Sequence, residues 1–165
     1  MISTYILNYN NLFSNRFFWY NECMEKIIMY SDGGSRGNPG PAALGVYIET
    51  LDKAFGEFLG IKTNNEAEYA AIVAGLKKIK ALVGKEKAKK TRVECRMDSE
   101  LACRQLNHIY KIENEKLQPL FFQVWNLTLD FAEVQFVHVR REFNTVADAE
   151  ANKAMDQATK QKSLL

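Results

Sequence analysis

The chain has 165 residues, 47% of them hydrophobic and 25% charged, with a formal net charge of +2. That is enough for one globular domain with a full core and too few for two ordinary ones, and its global charge does not announce a polyanion partner. No apolar run is long enough to cross a membrane, and Cys23, Cys95 and Cys103 form no CxxC pair, which argues against a disulfide framework or a zinc site.

Residues 1–23 are rich in Asn and aromatics, with no clean period. They read as an N-terminal extension of unknown role, either a short added helix or a segment ahead of an alternative start at Met24, with the domain proper covering 24–165. The N-terminus lacks the basic start and uninterrupted apolar core of a secretory leader, so a cytoplasmic protein is expected, and a monomer is the separate default expectation. Residues 27–30 read as a buried strand running into Asp32, and 33–41 as a long Gly- and Pro-rich turn. Residues 43–50 and 55–61 read as two further strands around a turn at Leu51, Asp52 and Lys53, an antiparallel meander. Thr63 and Glu66 have capping-box spacing and open a helix whose buried face is Ile72, Leu76, Ile79 and Val83, with Gly84 as its stop. Val93, Cys95 and Met97 alternate with Arg92, Glu94 and Arg96 and mark a strand ending at Asp98. A short helix is expected over 100–107 and a longer one over about 114–129, with Pro119 in its first turns. Residues 134–139 form the last strand. The final helix starts near Asn144 and presents Ala147, Ala151, Ala154 and Ala158 as a small-residue face that can lie close to a sheet. Basic residues crowd the stretch from Lys77 to Arg96, which reads either as a solvated helix end and loop or as a patch for a nucleic-acid backbone.

The order β-β-β-α-β-α-α-β-α, a meander followed by alternation, predicts a mixed sheet with helices on both faces. If the strand before Asp32 is central, the strand before Asp98 pairs parallel beside it, and both aspartates leave the carboxyl ends of adjacent strands, where open α/β sheets place their sites. Four acids stand in distinct contexts: Asp32 in YSDGGSRGNPGP, Glu68 in TNNEAEY, Asp98 in RMDSELA and Asp148 in NTVADAEAN. Carboxylates drawn together from distant positions repel unless cations lie between them, so the set is a candidate site for hard divalent metals, Mg2+ above all.

DGGSRGNPGPAALG, TNNEAEY, MDS and N-x-x-x-D occur in this order. On these motifs the chain resembles the ribonuclease H family, type I, in its compact form without a basic protrusion, over about residues 26–155. The resemblance implies an α/β ribonuclease H-like fold with a five-stranded mixed sheet of order 3-2-1-4-5 and helices on both faces. It implies that Asp32, Glu68, Asp98 and Asp148 hold two Mg2+ ions, with Mn2+ as a substitute, and that the protein hydrolyses the RNA strand of an RNA/DNA hybrid, leaving a 5′-phosphate and a 3′-hydroxyl. Physics supports this independently, because two metals ~3.5–4 Å apart can clamp the attacking and leaving oxygens of an in-line displacement. The sequence leaves open whether double-stranded RNA or a single-ribonucleotide junction is also cut. Ser35, Asn38, Asn64 and Asn65 match family contacts to the 2′-hydroxyl, the group that separates RNA from DNA, and Thr63 matches a phosphate contact.

Each residue also has a plainer reading. Asp32 and Asp98 alone would be turn formers or caps, Glu68 and Asp148 first-turn acids favoured by the helix dipole, Asn38 a turn residue, and Asn64 and Thr63 caps. Glu100 stands where the family often has Gln. Many members carry a mobile His before the last helix. Here that loop reads HVRREFN, where Arg140 or Arg141 is the expected auxiliary charge and His138 reads as a core or strand-edge residue. His108 reads as a surface residue. With no basic protrusion, binding is expected either to be weaker or to lean on the Lys77 to Arg96 stretch, and in both cases to weaken steeply with salt. A non-catalytic hybrid or double-stranded RNA-binding module is the alternative, and intact carboxylates at all four positions argue against it. The length favours a stand-alone enzyme over the nuclease domain of a polyprotein.

Overall fold

The structure, a computed structural model, describes residues 25–162. The segment 1–23 and its boundary at Met24 lie outside the described residues. Strand β1 (Lys26–Ser35) alternates buried and part-exposed residues along most of its length, because successive side chains point to opposite faces of the sheet. It is followed by β2 (Gly40–Ile48), a 3-10 turn (Glu49–Leu51) and β3 (Lys53–Lys62). Asp52 closes that turn in the left-handed region at φ 47°. Next come α1 (Asn64–Val83), a one-turn α2 (Lys85–Ala88), β4 (Arg92–Met97), α3 (Glu100–Leu106), α4 (Gln118–Thr128), β5 (Glu133–His138), a second 3-10 turn (Arg141–Phe143) and α5 (Thr145–Lys162).

The sheet order is β3-β2-β1-β4-β5, the 3-2-1-4-5 order expected. β1 pairs antiparallel with β2 and parallel with β4, and β5 joins β4 in parallel. Ile27, Met29, Leu44, Val46, Val93 and Cys95 point to one face and pack with Ile72, Leu76 and Ile79 of α1 in the main core. Intervening residues point to the other face, where α5 lies. That approach is close: a Cβ on Gly45 would sit 1.9 Å from the Ala147 carbonyl oxygen. Ala147 and Ala151 are buried there, so the small-residue face of α5 meets a strand that is itself stripped of a side chain.

Three expectations need correction. Residues 33–35 are not part of the turn; Gly33, Gly34 and Ser35 continue β1 and pair with Leu44, Ala43 and Ala42. The long helix begins at Gln118 rather than near 114, because Pro119 occupies its first turn, where its missing N–H is harmless. The basic stretch is not one patch beside the carboxylates. Lys80 pairs with Asp130 at 2.7 Å, Lys87 with Glu25 at 2.6 Å, Arg92 with Glu133 at 3.3 Å and Arg96 with Glu94 at 2.6 Å. Cys95 and Cys103 are buried free thiols. Among the described residues no helix is long and apolar enough to cross a membrane.

Candidate active site

Parallel pairing of Ser31 with Met97 sets Asp32, inside β1, beside Asp98, the first residue after β4. Glu68 joins them because α1 lies directly on β1 at Gly33: a Cβ there would fall 2.1 Å from the Ala67 carbonyl carbon and 2.2 Å from the Glu68 nitrogen. Asp148 arrives from the first turn of α5. All four carboxylates line one cleft of about 350 Å³, together with Ser35, Asn64, Ser99, Arg141 and Asn152.

The cleft holds more negative charge than it can comfortably solvate. Burial, and then the charges of Asp98, Asp148 and Glu68, push Asp32 up to about 7, with Arg141 pulling the other way. Burial also lifts Glu68 to about 7; the Ser99 hydroxyl opposes this, and Asp98 adds to it. Arg141 is the cation that answers this field. Its Nη2 donates to Asp148 Oδ1 at 3.0 Å, and that bond, followed by the charges of Asp148, Asp98 and Asp32, raises the guanidinium further.

Three of the four carboxylates have their own protein donor. The Ser99 hydroxyl donates to Glu68 Oε2 while accepting the Ala102 N–H as the cap of α3. Asn144 Nδ2 donates to Asp98 Oδ1, and Asn152 Nδ2 to Asp148 Oδ2, each at 3.0 Å. Asp32 receives no hydrogen bond among the described residues. Sequence reasoning treats Ser99 and Asn144 as motif companions and passes over Asn152. The Asp98-Ser99 pair and the four-residue spacings Asn144–Asp148–Asn152 are the available signals.

The Gly-rich loop is stitched to the start of α1. The Ser35 N–H donates to Asn64 Oδ1 at 2.7 Å, the Asn64 N–H to Asn38 Oδ1 at 3.2 Å, and the Ser35 hydroxyl to the Lys62 carbonyl at 2.9 Å and to that of Gly37. Thr63 caps α1 in a complete capping box with Glu66, so its hydroxyl is committed to the helix. Ser35 and Asn64 face the cleft, whereas Asn38, Thr63 and Asn65 are not among its lining. Asn65 is half-buried. Of the expected auxiliaries, Arg141 is in the cleft. Arg140 turns to Glu142 at 3.6 Å, and His138 is the exposed last residue of edge strand β5; neither lines the cleft. Glu100 is held by Arg104 at 2.7 Å and Glu150 by Lys153 at 3.2 Å, so neither competes with the four acids.

An all-carboxylate donor set suits a hard divalent cation, and a cation would reverse the repulsion that lifts Asp32 and Glu68. As they stand, no three His, Cys, Asp or Glu side chains among the described residues are grouped to hold one ion. Asp148 is tied to Arg141 instead and must exchange that partner to serve as a ligand.

A family model described as reverse transcriptase-like matches residues 31–154. Ribonuclease HI of Halobacterium salinarum is 36% identical over 137 residues, 81% of this chain and 66% of that protein. Bifunctional protein Rv2228c of Mycobacterium tuberculosis is 37% identical over 138 residues, 81% of this chain, and the match spans 36% of that relative's length. Among solved structures, LC11-RNase H1, isolated from compost by a metagenomic approach, was determined in complex with an RNA/DNA hybrid. That structure has a TM-score of 0.75 at 38% identity and covers 81% of this chain and 99% of its own. The RNase H1 of Halobacterium salinarum gives 0.73 at 34% identity, covering 80% and 98%.

Proposed function

The chain belongs to the ribonuclease H family, and from that premise we propose that it is a divalent-metal-dependent endoribonuclease. It hydrolyses the RNA strand of RNA/DNA hybrids and leaves 5′-phosphate and 3′-hydroxyl ends. The observation that carries this reading is the cleft itself: four carboxylates from four separate elements, with Asp32 and Glu68 lifted to about 7 by burial and mutual repulsion. Likeness to LC11-RNase H1, whose structure holds a hybrid, supports the substrate class.

Asp32, Glu68, Asp98 and Asp148 hold two Mg2+ ions, with Mn2+ able to replace them. Bound there, the ions supply positive charge to the attacking water and the leaving oxygen of an in-line displacement. Asp32 would be shared most among the ligands, because it feels the other three acids and its carboxylate has no protein donor among the described residues. Ser99, Asn144 and Asn152 orient Glu68, Asp98 and Asp148 by the hydrogen bonds described above. Ser35 and Asn64, on the cleft wall, read the 2′-hydroxyl with help from Asn38 and Asn65. Lys62 and Lys116, both of which draw down the proton affinity of Glu66, supply positive charge for a phosphate near Thr63, whose hydroxyl stays with its helix cap. Arg141 supplies the auxiliary positive charge. The protein acts as a monomer in reducing surroundings, where Cys95 and Cys103 stay free.

The test is cleavage of a hybrid labelled on its RNA strand, in Mg2+ and in EDTA, beside matched DNA and RNA duplexes. RNA-strand products with 5′-phosphate ends, formed only with metal, are expected. Salt-sensitive hybrid binding by folded protein without cleavage would instead make this a non-catalytic binding module.

A further inference from the structure

Asn144 is buried, 1% exposed, immediately ahead of α5. An Asn at a helix start ordinarily turns its side-chain oxygen onto a first-turn N–H. Here the side-chain Oδ1 is buried with no hydrogen-bond partner among the described residues, and the amide nitrogen makes the bonds instead. Nδ2 donates at 3.0 Å to the Ser31 carbonyl, the last one before Asp32, and at 3.0 Å to Asp98 Oδ1. Both partners are acceptors, so the orientation of the amide is unambiguous. The Asn144 carbonyl in turn accepts the Asp148 N–H at 3.1 Å. One buried residue therefore joins β1 at Ser31, Asp98 just past β4 and the first turn of α5, the places that carry Asp32, Asp98 and Asp148.

We propose that Asn144 is a positioning residue that sets the placement of Asp32 and Asp98 relative to each other and holds Asp98 by one oxygen, leaving its other oxygen free to ligate. A plain cap would have used Oδ1 and left Nδ2 to solvent. The observed arrangement does the reverse and leaves an acceptor without a donor to do so, the kind of exception that calls for a functional reason. This inference rests on the metal-dependent reading above.

The test compares wild type with Asn144→Ala, and with Asn144→Leu, which keeps side-chain volume should the alanine variant fail to fold. Three quantities are read: the Mg2+ concentration at the midpoint of the Mg2+-induced rise in Tm, and the separate kcat and KM for hybrid cleavage. The Mg2+ midpoint is expected to rise at least about tenfold and kcat to fall at least about tenfold, as for a misplaced catalytic group, with KM within about twofold. Folded variants with wild-type kcat and Mg2+ midpoint, or a raised KM with unchanged kcat, would overturn the proposal. If wild type itself cuts no hybrid, the functional reading fails, while the Mg2+ midpoint of the variants still reports on Asn144.

Discussion

Asp32 carries the chemical tension of the molecule. Its neighbours Glu68, Asp98 and Asp148 each have a protein donor, and the Asp32 carboxylate has none among the described residues. Without metal, the folded state therefore holds protons on Asp32 and Glu68 up to about 7, whereas the unfolded chain releases them near the ordinary 3.8 and 4.5. Between those limits the native state binds more protons than the unfolded state, so stability falls as pH rises. Glu66 and Glu94 lie below the usual carboxylate range, Glu66 through the Thr63 N–H and Glu94 through Lys26, and their contribution is lost only on acidification below that range. Thermal melts in EDTA are expected to show Tm declining from about pH 5 to about pH 7. Asp32→Asn should flatten that decline, and Mg2+ should restore the wild-type Tm at neutral pH. A wild-type Tm that rises over this range would contradict the electrostatics. A second expectation concerns Thr63. Thr63→Ala removes the capping box and should cost about 1 kcal/mol in denaturant melts.

Glycines decide how the elements meet. Gly33 admits the backbone of α1 at Ala67 and Glu68, and Gly45 admits α5 at Ala147. Gly33→Ala places a methyl against fixed backbone and is expected to destabilise by roughly 1–3 kcal/mol or more, as overpacked interiors do. It should also displace Glu68 and so lower kcat in whatever variant still folds. Gly45→Ala acts likewise on α5 and Asp148. A Gly33→Ala protein with wild-type Tm and rate would refute this packing. Here the limits of sequence reading show. The capping box, the alternating β4 and the alanine face of α5 are legible, because each is a pattern within one element. Gly33 reads as a turn residue because what it touches lies more than thirty positions away. Asn144 is legible as a helix start, but the turn of its amide toward Ser31 and Asp98 depends on strand pairing that no local pattern encodes. Arg141 is one of two candidates, and only the loop geometry separates it from Arg140.

Across the whole molecule, charge is sorted along the sheet. Asp32, near the carboxyl end of β1, and Asp98, just past that of β4, lie at one end of the sheet, whereas Lys85, Lys87, Lys89 and Lys90 precede the start of β4. α1 runs roughly 22 Å from Glu68 to Val83, so that cluster is at the far end from the cleft. It is a neighbour of the site in sequence only because β4 follows it. Lys62 and Lys116, near the start of α1, are the better placed cations. Neutralising Lys85 and Lys90 to Gln should leave hybrid affinity and its salt slope unchanged. Lys62→Gln with Lys116→Gln should weaken binding and flatten the slope by roughly one for each phosphate no longer neutralised. The reverse pattern would relocate the nucleic-acid track.

The central claim is that these four carboxylates form a metal-dependent site for cutting the RNA strand. It is tested most directly by the initial rate of RNA-strand cleavage in a hybrid as Mg2+ is raised, for wild type and Asp32→Asn, both verified as folded by circular dichroism. A rate that rises with Mg2+ in wild type and stays at background in Asp32→Asn is expected. Equal cleavage by the two proteins, or cleavage by wild type that persists in EDTA, would contradict the claim.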